Sequence, residues 1–170
     1  LTIYGLTVDN LSIEAKNMFC EDAVNIVKSK GTINSVSIEN SISDGLDMDF
    51  SNIKIIDIAI SSSGNDCLDL SGGTYNIQKM KISSCNDKGI SIGEKSIFNL
   101  DKLNIDNSNV GIAIKDSSDG FINYLTTKNV NLCIALYRKK AEFGPSSVKI
   151  NELECQNQNI YVQEGSNFEN

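Results

Sequence analysis

Aspartate dominates the residues of this chain that are able to do chemistry, and it recurs at one interval. Asp22, Asp44 and Asp66 are 22 residues apart, and so are Asp47 and Asp69, with Asp49 two positions beyond Asp47. Lys88 follows Asp66 by the same interval. Lys115 and the basic run Arg138–Lys140 come further along. Histidine is absent. That argues against a Ser–His or Cys–His nucleophile and against zinc. What remains is carboxylate and amine chemistry. Carboxylate oxygens hold hard cations such as Ca²⁺, and a lysine with a lowered pKa abstracts protons.

The interval belongs to the whole chain. Val24, Leu46, Leu68, Ile90, Ile112 and Ile134 are each 22 apart, and Ile26, Met48, Leu70, Ile92, Ile114 and Leu136 run in step two positions later. A small residue precedes nearly every member of the first column: Ala23, Gly45, Cys67, Gly89, Gly111, Cys133. A second alternation lies ahead of the first in each repeat, as in Ile53, Ile56, Ile58, Ile60 and in Leu100, Leu103, Ile105. Short period-two runs punctuated by Asn, Ser, Asp and Gly read as strands. Such a fixed period marks a stacked repeat, in which no unit buries its apolar face alone.

The expected fold is therefore all-β: a single-stranded right-handed parallel β-helix of about seven coils of about 22 residues. A leucine-rich-repeat solenoid would need an Asn or Cys at one fixed place and a helical segment per repeat, and neither is present. Coils at ~4.8 Å give a rod of roughly 30–35 Å. The first coil is expected to be longer by about eight residues around Asn10–Phe19. Ile160 follows Ile134 by 26, so Arg138–Pro145 should bulge as a loop. Residues 1–170 are read as one domain, a fragment of a longer chain. Its open ends are expected to pair with flanking sequence or another copy.

With the anchor columns inward, the alternate positions face outward. One outward column reads Asn25, Asp47, Asp69, Ser91, Ala113, Ala135, and the next reads Val27, Asp49, Ser71, Gly93, Lys115, Tyr137. Parallel stacking sets Asp47 beside Asp69 and Asp44 beside Asp66. Like charges that close are unfavourable unless a cation intervenes or one carboxyl keeps its proton. Asp47, Asp49 and Asp69 are the candidate Ca²⁺ ligands, though no cofactor is required. The competing account is turn chemistry, in which Asp22, Asp44, Asp66 and Asp87 bond nearby backbone.

Composition narrows the partners. The net charge of −7 argues against nucleic acid. No apolar run is long enough to span a membrane, and no signal peptide is visible. Six Phe, five Tyr and no Trp are few for a sugar-binding surface. Cys67 and Cys133 share a column three coils apart, roughly 14 Å, too far for a disulfide with each other. They read most simply as small space-fillers.

The stretches Ser43-Asp44-Gly45-Leu46-Asp47, Asn65-Asp66-Cys67-Leu68, Asp87-Lys88-Gly89-Ile90-Ser91-Ile92-Gly93 and Gly111-Ile112-Ala113-Ile114-Lys115 resemble the pectate-lyase-like β-helix superfamily, and within it the motif order of polygalacturonases. The resemblance covers residues 43–115. It implies that Asp44 and Asp66 match two of the three catalytic aspartates and that Lys115 matches the lysine. Asn65 stands at the general acid, Lys88 at the histidine and Ala113 at the arginine. Inverting hydrolysis needs a protonated carboxyl, which Asn65 does not supply. The blocks around Cys20–Val27, Asn86–Glu94 and Tyr137–Gly144 also resemble uncharacterised bacterial β-helix proteins.

The functional expectation is a carbohydrate-interacting domain that binds, or cleaves, an acidic polysaccharide or cell-surface glycan. Cleavage would run by β-elimination rather than hydrolysis, with Lys115, Arg138, Asp66 and Lys88 as catalytic candidates. Asp44, Asn65, Glu94 and Tyr137 are the substrate-binding candidates. The alternative is a non-catalytic structural or adhesive rod of a surface protein. Secretion or surface display follows from the resemblance alone.

Overall fold

The computed structural model describes residues 1–170 and contains no helix. Its strands are β1 (Thr2–Tyr4), β2 (Thr7–Met18), β3 (Asp22–Val27), β4 (Lys30–Ser41), β5 (Asp44–Asp49), β6 (Asn52–Ser63) and β7 (Leu68–Ser71). They continue as β8 (Thr74–Gly93), β9 (Ile97–Lys115), β10 (Asp119–Tyr137), β11 (Ser147–Cys155), β12 (Ile160–Val162) and β13 (Asn167–Glu169). All pairings are parallel, and each strand bonds its equivalent in the next turn. The result is a β-solenoid of about eight turns. No helix is long and apolar enough to cross a membrane.

The anchor columns are the inner ladder. Val24 pairs in register with Leu46, Leu46 with Leu68, Leu68 with Ile90, Ile90 with Ile112, and Ile112 with Ile134. All six side chains are fully buried, as are Ile26, Met48, Leu70, Ile92, Ile114 and Leu136. β-branched and long apolar chains suit this stacking because each lies on its own kind in the next coil. One contiguous core of 39 buried residues runs along the axis. The small column has a steric cause: a Cβ on Gly111 would sit 2.5 Å from the Cys133 carbonyl oxygen.

Two columns of left-handed residues turn the coil. One is Lys28, Phe50, Gly72, Glu94, Asp116; the other is Asn17, Asn40, Ser62, Ser84, Asn107, Asn129. Asn, Asp and Gly tolerate this conformation best. Serines line a buried corner, where the Ser29 N–H donates to Ser51 Oγ at 3.0 Å. At Gly73 the column lacks a hydroxyl, and Tyr75 supplies one by donating to the Met48 and Ser71 carbonyls at 2.7 and 3.0 Å. A Cβ on Gly73 would stand 2.5 Å from that phenolic oxygen.

The turn count differs from the expected seven because Leu1–Tyr4 is a rung of its own. Ile3 pairs with Ile26, an interval of 23. The first coil is one residue longer than the repeat, not eight, and the extra residue lies at the corner before Asp22. The late insertion stands as expected. Asp119 pairs with Ser147 and Ile134 with Ile160, so residues 138–146 loop out.

The cysteines correct the space-filler reading. Cys67 bonds Cys85 and Cys133 bonds Cys155, with Cα atoms 5.5 and 6.1 Å apart, while Cys20 is free and exposed. The two bridges share one placement in the repeat: a cysteine just before the anchor of one coil joins a cysteine five before the anchor of the next (Ile90 or Ile160). Each joins neighbouring coils across one corner.

Leu68→Asp sets an unpaired charge inside the ladder and should destabilise the fold by about 3–5 kcal/mol, read as a loss of the cooperative thermal transition. Non-reduced peptide mapping should link Cys67 to Cys85 and Cys133 to Cys155, with Cys20 alone alkylated. Reduction should lower stability by about 3 kcal/mol per bridge on the loop-entropy account.

Candidate functional site

The face carried by β3, β5, β7 and the C-terminal halves of β8, β9 and β10 collects every candidate aspartate. Strand alternation turns Asp47, Asp49 and Asp69 away from the core, yet all three are half-buried. Asp47 pairs in register with Asn25 on one side and Asp69 on the other. Asn25 Nδ2 bridges the acids, donating to Asp47 Oδ2 at 2.8 Å and Asp22 Oδ2 at 3.2 Å.

Asp44 and Asp66 hold the corner between coils. Asp44 Oδ1 accepts from the Asp66 backbone N–H at 2.9 Å and from Asn65 Nδ2 at 2.7 Å. Asp66 Oδ1 repeats the motif one coil on, accepting from the Lys88 backbone N–H at 3.0 Å and from Lys88 Nζ at 3.3 Å. Lys88 Nζ also pairs with Asp87. Asp44 and Asp66 therefore do bond backbone, but it is that of the next coil and not, as the turn account expected, of their own turn. Asp66 is only 4% exposed.

Lys115 bends over the small-residue floor of the face. It is 7% exposed and donates to Ser91 Oγ at 2.7 Å. Burial lowers its pKa, against the pull of Asp69. Asp116, 1% exposed, accepts from the backbone N–H groups of Lys139 and Lys140 at 2.7 and 2.9 Å and so ties down the loop. Lys140 pairs with Glu94. Tyr137 is half-buried, and exposed Arg138 opens the loop, its backbone N–H donating to Gln163 Oε1 at 2.6 Å.

The structure thus gathers Asp44, Asn65, Asp66 and Lys88 into one chain, Asp22, Asn25 and Asp47 into a second, and Lys115 with Ser91 near Asp69 into a third. Asn25, Ser91 and Asp116 are partners that residue type alone did not single out; their column positions were the available signal. The acids do not converge as a group of three or more suited to a metal ion. Protons offer another relief of the repulsion. Burial first, then Asp49, Asp22, Asp69 and Asp44, push Asp47 up to about 8. Burial raises Asp66 to about 6 despite Lys88. Asp69 is raised by burial as well, with Lys115 and a hydrogen bond from Ser91 opposing.

Asp66 and Lys115 are enclosed and already bonded, so neither presents a free reactive group to a polymer lying on the surface.

Protonation has a measurable consequence. Folded Asp47 keeps its proton to about pH 8, while the unfolded chain releases it near the ordinary carboxylate value of about 4. Between these values the folded state binds the extra proton, so stability falls as pH rises through the window. The melting midpoint at about pH 5 should exceed that at about pH 8 by roughly 3 °C or more, and Asp47→Asn should reduce the difference, leaving the part that Asp66 contributes. Added Ca²⁺ at the higher pH is the companion measurement, since a cation seated among Asp47, Asp49 and Asp69 would restore the midpoint.

Compared with known proteins, the chain matches no family model, no curated protein and no solved structure.

Proposed function

We propose that this chain is a non-catalytic β-solenoid domain of an exported protein, binding a polysaccharide along its side. The observation that carries this reading is the enclosure of Asp66 and Lys115, only 4% and 7% exposed, in contacts that hold coils together. Elimination needs a base that touches the sugar, and hydrolysis needs a carboxylic acid where Asn65 stands. Meanwhile the outer faces set polar side chains at the coil spacing, so a polymer lying across the coils meets hydrogen-bonding groups at each successive coil.

Export is supported by the bridges Cys67–Cys85 and Cys133–Cys155, since disulfides persist in oxidising compartments. The motif skeleton at residues 43–115 supports placing the coil among right-handed pectate-lyase-like β-helices. The net charge of −7 makes a polyuronate a poor partner unless a cation bridges. The structural or adhesive rod is the competing role, favoured by the same enclosed and already bonded side chains.

Affinity electrophoresis against a panel of neutral and acidic polysaccharides should retard the protein in at least one gel, while overnight incubation releases neither new reducing ends nor unsaturated uronates. Accumulating product would overturn the non-catalytic reading. Absence of retardation in every gel would leave the rod.

A further inference from the structure

The main surface clefts of the molecule, all open to solvent, do not lie on the acidic face. Three adjoining clefts of about 560, 580 and 400 Å³ share Thr126 and Lys128, and a fourth of about 430 Å³ joins the second through Asp101 and Asn123. None is lined by Asp44, Asp47, Asp66 or Asp69. They run across the N-terminal halves of β8, β9 and β10 and onto β11, on the other side of the coil. Each is within the size range of a small-ligand site, and together they form a trough crossing several coils.

Register explains the trough. Lys79, Lys102, Tyr124 and Glu152 form one column, and Lys81, Asn104, Thr126 and Glu154 the next. Asn104, Tyr124 and Thr126 are half-buried, while Lys81, Lys102, Glu152 and Glu154 are exposed. The floor is therefore amide, hydroxyl and phenol, with charged groups at the rims.

The lining has spare donors but no positive excess. None of Lys81, Lys102 and Lys128 is ion-paired to a carboxylate. The acids beside them are partly satisfied by amides and hydroxyls: Asn123 Nδ2 donates to Asp101 Oδ1 at 2.8 Å, Asn129 Nδ2 to Asp106 Oδ1 at 2.7 Å, and Thr126 Oγ1 to Glu154 Oε2 at 3.4 Å. Free ammonium groups donate to uncharged oxygens, and carboxylates accept from hydroxyls, both as charge-assisted bonds. A polyanion would meet Asp101, Asp106, Glu152 and Glu154 at the same time. The Tyr124 ring adds an amphipathic surface, apolar in body with a polar tip.

Resting on the polysaccharide-binding reading above, we propose that the trough across β8–β11 is the binding site, and that its ligand is a neutral, hydroxyl-rich glycan rather than an acidic one. Tyr124 forms the ring platform, Asn104 and Thr126 fix hydroxyls from the floor, and Lys102 and Lys128 donate from the walls.

The test is affinity electrophoresis with soluble neutral glycans (a β-glucan, a xyloglucan, a galactomannan) and with polygalacturonate. It uses the full chain as wild type, Tyr124→Ala, Lys128→Ala and the acidic-face control Asp69→Asn, each checked for a retained cooperative thermal transition. A neutral glycan should retard the wild type, with little dependence on salt. Tyr124→Ala should weaken retardation about tenfold or more, as for truncation of an aromatic anchor. Lys128→Ala should weaken it less, and Asp69→Asn should leave it unchanged. If retardation by a neutral glycan survives Tyr124→Ala and Lys128→Ala but is lost in Asp69→Asn, the trough is not the site, although the polysaccharide-binding reading stands. Retardation by polygalacturonate alone would overturn the neutral class. No retardation in any gel would overturn the underlying reading itself.

Discussion

Strand residues in this solenoid lie against their equivalents one coil away, because the strands pair in parallel, mostly at an interval close to 22 residues. Like-on-like stacking is the constraint on which the rest depends. It rewards Ile on Ile and Leu on Leu, since identical apolar chains fill identical spaces. It also suits Asn on Asn, because an amide carries both donor and acceptor. Asn40 Nδ2 donates to Asn17 Oδ1 at 2.9 Å, and Asn131 Nδ2 to Asn109 Oδ1 at 3.1 Å.

The same constraint is hostile to aspartate, and the acidic face shows how the chain responds. Where the acid caps the next coil's backbone, as at Asp44 and Asp66, donors offset the charge. Asp47 has Asn25 as a side-chain donor and no ion-paired cation, and it is the acid whose proton is held to about 8. Lys115 reaches back toward Asp69 across the Ser91 floor. A stack of carboxylates thus becomes a mixed set of caps, one acid that holds its proton and one enclosed lysine. Side chains committed to holding coils together are poorly placed to act on a ligand.

The far side of the coil differs. Columns there mix lysine, amide, hydroxyl and carboxylate from coil to coil, as in Lys79, Lys102, Tyr124 and Glu152. Adjacent unlike residues leave hydrogen-bonding capacity open to solvent, and the uneven side-chain lengths open clefts. The loop after β10, tied to Asp116, leaves this region uncovered, since its contacts go to the opposite edge.

The amino-acid sequence by itself determined the solenoid, its inner ladders and the late loop, because a single repeat distance dictates which residues stack and alternation dictates which face inward. Leu68 on Ile90 and Ile114 on Leu136 were legible from counting alone. The acidic columns were legible as columns for the same reason. Three things waited for the tertiary structure. The bridges from Cys67 to Cys85 and from Cys133 to Cys155 join different columns of neighbouring coils, so comparing residues within one column does not find them. The Leu1–Tyr4 rung depends on a corner of uneven length, which a fixed period misses. The enclosure of Lys115 and the clefts around Tyr124 depend on how far side chains reach across neighbouring coils. A one-dimensional period records which residue lies beside which, but not the space between them.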